Sequence, residues 1–124
     1  MAVGKSVPLI DAWEKVAGTA KYTTDLKQAG MLYGKILRSP YHHARVLNVD
    51  ASLAERLPGV KAVLTPKDIK PVRYGFMARA DQYALPIEKV RYRGEDVAAV
   101  AAVDEDTAQE ALSLIKVEYE ELPS

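Results

Sequence analysis

Val97-Ala98-Ala99-Val100-Ala101-Ala102-Val103 is apolar on both sides of any pleat. Such a run is expected to be a central strand covered on both faces. Asp104 follows it in the place of a helix N-cap, and Thr107, Ala108, Ala111 and Leu112 then recur on one helical face. Ile115, Val117 and Tyr119 alternate with Lys116, Glu118 and Glu120, which makes a last strand with one wet face. Residues 97–120 therefore read as strand, helix, strand with a right-handed crossover. Val97, Ala99, Val100 and Val103 are expected in the core beneath Ala108, Ala111 and Leu112.

The pattern extends upstream of this unit. Residues 31–39 form a strand ended by Pro40, and residues 44–50 a second, half-buried strand. Asp50 and Ser52 are candidate caps for a short helix through Leu57, stopped by Pro58-Gly59. Residues 60–64 alternate as a third strand, and Thr65-Pro66-Lys67-Asp68 reads as a helical turn with Pro at its first position. Residues 70–88 hold Pro71, Gly75 and Pro86 without a clean period. A long loop in a compact domain is usually functional or disordered. Val90-Arg91-Tyr92 is a short strand turned by Gly94. The fold class is α/β or α+β, with a mixed sheet, two strand–helix–strand units and a long central loop. Residues 1–30 read as a mostly extended N-terminal docking arm. Asp11 and Glu14 have capping-box spacing there, and Gly18 is placed to end a short turn. Residues 31–124 make a single domain.

The chain has 124 residues, 48% hydrophobic and 27% charged, which suits one globular core. It has no cysteine, so disulfides, thiolate metal sites and cysteine nucleophiles are excluded. No apolar run reaches the roughly 18 residues of a membrane helix, and the first 15 residues lack the apolar core of a signal peptide. The expected location is cytoplasmic. Seventeen basic and seventeen acidic residues cancel overall. Residues 35–93 carry 12 basic and 5 acidic side chains, whereas residues 94–124 carry 1 and 9. The basic residues lie scattered among apolar ones, without the clusters of a nucleic-acid surface. The simpler reading packs the acidic third beside the basic middle, and no nucleic-acid partner is expected.

Candidate chemistry is sparse. Gly4-Lys5-Ser6 lacks the earlier glycine and strand of a phosphate loop. His42 and His43 are adjacent, so on extended chain they point to opposite faces and cannot easily share a metal. Asp104, Glu105 and Asp106 lack calcium-loop spacing and suit a helix N-terminus. Glu118, Glu120 and Glu121 read as the solvated side of a strand and its exit. No glycine-rich phosphate motif follows the apolar strand, so a dinucleotide fold is not supported. Residue chemistry alone reaches a soluble domain with no catalytic residue, no cofactor-binding residue and no metal site.

Five separated motifs add a resemblance. They are Val16-Ala17-Gly18-Thr19-Ala20-Lys21-Tyr22-Thr23-Thr24-Asp25; Gly34-Lys35-Ile36-Leu37-Arg38-Ser39-Pro40 with Tyr41-His42-His43-Ala44-Arg45-Val46; Leu57-Pro58-Gly59-Val60; residues 90–102; and Ile115-Lys116-Val117-Glu118-Tyr119-Glu120-Glu121-Leu122-Pro123. In this order they resemble the N-terminal α/β-hammerhead domain of the molybdenum hydroxylase large subunit, as in xanthine and aldehyde oxidases. Only His43 matches a family histidine; His42 does not. Residues 71–75, 82–85 and 89–94 look most like the large subunit of 4-hydroxybenzoyl-CoA reductase, which removes an aromatic hydroxyl reductively.

The resemblance selects the α+β class and implies a structural and substrate-access domain, not catalytic alone. It implies molybdopterin–molybdenum, iron–sulfur clusters and FAD in the full assembly. The partners would be a molybdopterin-binding region or subunit, an iron–sulfur subunit and a flavin subunit. It places Tyr74, Phe76 and Met77 beside the substrate funnel. Arg73 and Arg79 become candidates for a CoA phosphate, weighed against a solvated surface role. The competing reading is a free-standing protein-interaction module of the same fold. A small independent enzyme using His43 and a carboxylate ranks last.

Overall fold

A computed structural model describes residues 3–73, 75 and 80–123. The elements, in chain order, are α1 (Ala12–Val16), a 3-10 turn (Thr23–Asp25), β1 (Tyr33–Arg38), β2 (Ala44–Asp50), α2 (Ser52–Arg56) and β3 (Val60–Leu64), then β4 (Lys89–Val90), β5 (Asp96–Ala102), α3 (Glu105–Leu114) and β6 (Lys116–Glu121). The α+β class holds. The strands divide into two three-stranded sheets, ordered β1-β5-β3 and β4-β2-β6, rather than one mixed sheet. All four described pairings are antiparallel.

Both strand–helix–strand units exist, but each bridges the two sheets. β2–α2–β3 crosses one way and β5–α3–β6 returns. The expected crossover within one sheet is therefore corrected. β5 already has β1 on one edge and β3 on the other, so β6 finds its free edge on β2.

β5 is central, as its composition requires, yet its two faces differ. Ala98, Val100 and Ala102 are buried, whereas Ala99 and Ala101 are only partly so. Lys35, directly opposite Val100, reaches Glu105 at 2.6 Å in the first turn of α3. α3 lies over the Ala98–Ala102 face, where Ala108, Ala111 and Leu112 are buried. Val97 is also buried, but Val103 lies past the strand and is 44% exposed, so it leaves the expected core set. On the other face, Ile36, Ala99 and Leu64 make one cross-strand row, and Gly34, Ala101 and Ala62 the next. Ile36 and Leu64 are nearly half exposed there. The open face of the second sheet is charged instead, with Arg45, Asp50, Lys116, Glu118 and Glu120 in water.

Local signals translate with adjustments. Asp104 caps α3, its Oδ1 accepting the Thr107 N–H at 2.7 Å. Asp50 serves α2 by accepting the Ser52 N–H at 3.0 Å, although Ala51 holds the cap position. Residues 65–68 make the expected single turn, closed by Asp68 N–H on the Thr65 carbonyl at 3.0 Å and by the Asp68 carboxylate, which accepts from both Thr65 N–H and Thr65 Oγ1. β4 stops at Val90 because Arg91 N–H is taken by Glu95 Oε2 at 2.5 Å, short of the expected Tyr92. In the arm, the Asp11–Glu14 capping box does not form; Asp11 pairs with Lys15 at 2.5 Å. Neither α1 nor the 3-10 turn has a buried residue.

Candidate functional site

The long central loop and the turn after β4 enclose a cleft of about 580 Å³. On one wall, Arg73 Nε donates to Tyr83 Oη at 2.7 Å, and the guanidinium carbon lies 5.4 Å from the Tyr83 ring centroid. The hydrogen bond to Tyr83, aided by Glu88 and Asp81, raises the Arg73 pKa further. The opposite wall is the Tyr92–Glu95 turn. Glu95 holds it from within through Arg91 N–H, and Gly94 supplies the left-handed φ of +93°. Arg38 ties the wall to β1, donating to the Gly94 carbonyl and pairing with Asp96, both at 2.8 Å. Tyr92 remains well exposed on this side.

The cleft thus presents two guanidiniums, two phenol rings and several carboxylates. It can hold a polar or aromatic group. Tyr74, Phe76 and Met77, expected beside a substrate funnel, lie outside the described residues, as does Arg79. Arg73 is described and sits in the cleft. Sequence reading did not foresee the Arg73–Tyr83 pair, because residues ten apart across an irregular segment carry no periodic signal. The four-residue spacing of Arg91 and Glu95 was the one available hint.

The other candidates resolve into structure. His43 Nδ1 lies 2.7 Å from the Pro123 carbonyl oxygen and Nε2 lies 3.1 Å from Lys89 Nζ. Neither ring nitrogen faces a carboxylate among the described ion pairs. Asp50, Asp68 and Asp104 have carboxyls held below the usual range, in each case chiefly by hydrogen bonds from Ser52, Thr65 and Thr107 respectively. Glu105 is lowered by Lys35. These shifts report caps and turns rather than acid–base machinery. Burial raises Tyr119, whose ring packs 5.0 Å from that of Tyr41. Glu120 pairs with Arg45 at 2.6 Å on the solvated strand face. Among the described residues no three His, Cys, Asp or Glu side chains gather as a metal site. No helix among them is long and apolar enough to cross a membrane.

The arrangement is an α+β domain with a cleft between the long loop and the Tyr92–Glu95 turn and with exposed apolar surfaces. Comparison with known proteins gives the family. The domain described as "Aldehyde oxidase and xanthine dehydrogenase, a/b hammerhead domain" matches residues 17–123. The chain is 50% identical over 113 residues to a probable xanthine dehydrogenase subunit of Bacillus subtilis (strain 168), covering 90% of this chain and 15% of that one. It is 42% identical over 121 residues to the nicotinate dehydrogenase large molybdopterin subunit of Eubacterium barkeri, covering 97% and 28%. The crystal structure of quinoline 2-oxidoreductase from Pseudomonas putida 86 matches with a TM-score of 0.89 at 36% identity, over 99% of this chain and 17% of that one. The chain belongs to the α/β-hammerhead domain family of molybdenum hydroxylase large subunits. It spans less than a third of each of these relatives.

Proposed function

We propose that this chain is the structural and substrate-access domain of a molybdopterin-dependent oxidoreductase and does not catalyse alone. The observation that carries the reading is the cleft at the base of the 70–88 loop, with Arg73, Tyr83 and Tyr92 on its walls. Tyr74, Phe76 and Met77 fall in the same stretch of sequence and would, on this reading, border the path to a reaction centre carried elsewhere. When bound in the rest of the assembly, molybdopterin–molybdenum supplies the redox chemistry, with iron–sulfur clusters and FAD passing electrons. The partners are a molybdopterin-binding region or subunit, an iron–sulfur subunit and a flavin subunit.

Two surfaces support a docked existence. Residues 5–28, the proposed docking arm, expose Leu9, Ile10, Trp13 (80%), Val16, Tyr22 and Leu26. Two uncharged outer rows of the β1-β5-β3 sheet add an apolar face. Such patches mark interaction surfaces more often than free ones.

For the substrate, an aromatic acyl-CoA of the 4-hydroxybenzoyl-CoA type is the finer proposal. It rests on the resemblance of residues 71–75, 82–85 and 89–94, and on a cleft that pairs aromatic rings with guanidiniums. Ring stacking contributes roughly 0.5–1.5 kcal/mol per pair. The test is Phe76→Ala, alone and with Tyr74→Ala, in the assembled enzyme. A raised KM or lowered kcat/KM at normal molybdenum content supports substrate access. Unchanged kinetics in the double variant removes the loop from the path and leaves a purely structural role.

A further inference from the structure

His43 stands just before β2 with both ring nitrogens engaged. A carbonyl oxygen only accepts, so Nδ1, 2.7 Å from Pro123 O, carries a proton. A lysine ammonium only donates, so Nε2, 3.1 Å from Lys89 Nζ, is the acceptor. The two contacts together specify one neutral tautomer. The backbone repeats the first tie, with Leu122 N–H donating to the His43 carbonyl at 2.9 Å.

The charged groups around the ring come from three elements. Lys89 is on β4, with Glu88 just ahead of it. Glu120 and Glu121 are on β6, and Arg45 is on β2, opposite both Lys89 and Glu120. Arg45 is occupied by Glu120 at 2.6 Å, and among the described residues no ion pair joins the His43 ring to a carboxylate. Lys89 is therefore the charge that meets the imidazole directly.

We propose that His43 is a proton-operated clasp joining the downstream end of the long loop to the chain beyond β6. In the neutral form it holds Lys89 and Pro123 at once. A proton taken up at Nε2 turns the acceptor into a second donor and sets a positive ring against the ammonium. The Lys89 tie is then lost, while Nδ1–H still serves Pro123. β4 is only two residues long; beside its pairing with β2 and the buried Val90, this tie fastens the Lys89 side chain. The Arg91–Glu95 turn that walls the cleft follows immediately. Acidification thus loosens one wall of the cleft and leaves the strand exit fastened. The clasp itself is independent of the access function; only its consequence for substrate rests on that reading.

The experiment is nuclear magnetic resonance on the 124-residue chain. Ring nitrogen shifts at neutral pH should report the Nδ1–H tautomer. On acidification the Lys89 and Val90 amide signals should move together with the His43 ring signals. Leu122 should respond less. In Lys89→Met the ring should still titrate while Val90 no longer follows it. His43→Asn, which places an amide N–H near the Nδ1 position, should keep Leu122 protected and lose the pH response at Val90. An Nε2–H tautomer overturns the clasp. So does a Val90 response that survives unchanged in both variants. Kinetic failure of the Phe76 and Tyr74 variants would bear on the access reading alone and leave these signals unaffected.

Discussion

The carbonyl oxygen of Gly59 accepts the Val103 N–H at 3.0 Å, joining the turn after α2 to the chain between β5 and α3. At this point Gly59 has φ +97°, and a Cβ there would lie 3.1 Å from methyl groups of both Val103 and Thr107. Conformation and space demand glycine together. Gly59→Ala should cost about 1–3 kcal/mol through backbone strain and crowding. Urea or thermal denaturation of the chain should show it as a melting temperature several degrees lower. A melting temperature equal to wild type would mean that α3 shifts freely away from the turn.

The two faces of β5 should respond differently to charge. Ala98 is fully buried under α3, so Ala98→Asp places an unpaired carboxylate in the core. A loss of roughly 3–5 kcal/mol is expected, enough to unfold much of the population. Ala99 is only partly buried on the open face, and Ala99→Asp should cost nearer ~1 kcal/mol. Circular dichroism and urea midpoints for the pair test the orientation. Equal damage from both would mean that the open face is covered in solution.

Asp104 links helix capping to acid stability. Its carboxyl is held below the ordinary 3.8 mainly by the Thr107 N–H. A depressed carboxylate adds stability that is present above the unfolded value and is lost as pH falls through the folded one. Wild type should therefore weaken as pH drops below about 4. Asp104→Asn keeps an acceptor but does not titrate, so its stability should fall less steeply in that range. Urea midpoints from pH 2 to 7 decide this, and parallel curves would show that Asp104 does not contribute.

The arm should be the least protected part of the chain. Its described side chains are almost all exposed, and its backbone bonds are local turns. In the chain alone, amide exchange across residues 5–28 should be faster than across residues 90–120. In the assembled enzyme, the docking proposal requires that difference to shrink. Equal protection of both regions in the isolated chain would refute an arm that depends on a partner.

Local chemistry was readable wherever one residue acts on its near neighbours. The all-apolar run before Asp104 made β5 central, Asp104 capped α3, and Pro58-Gly59 ended α2. The alternation after Ile115 gave β6 its wet and dry faces. Which strands share a sheet is written in no local pattern. β6 has the alternation of a strand beside β5, but β1 and β3 already saturate β5's edges, a fact that exists only once all strands are placed. The same holds for the half-open face that leaves Ala99 and Leu64 accessible. It holds also for the cleft, where Arg73 meets Tyr83 across an aperiodic loop, and for His43, whose partners Lys89 and Pro123 are 46 and 80 residues away. Propensity and periodicity act over a few residues, so they specify the elements. Edge saturation and long-range hydrogen bonds depend on the whole chain, so the sheets and the site take shape only in the folded molecule.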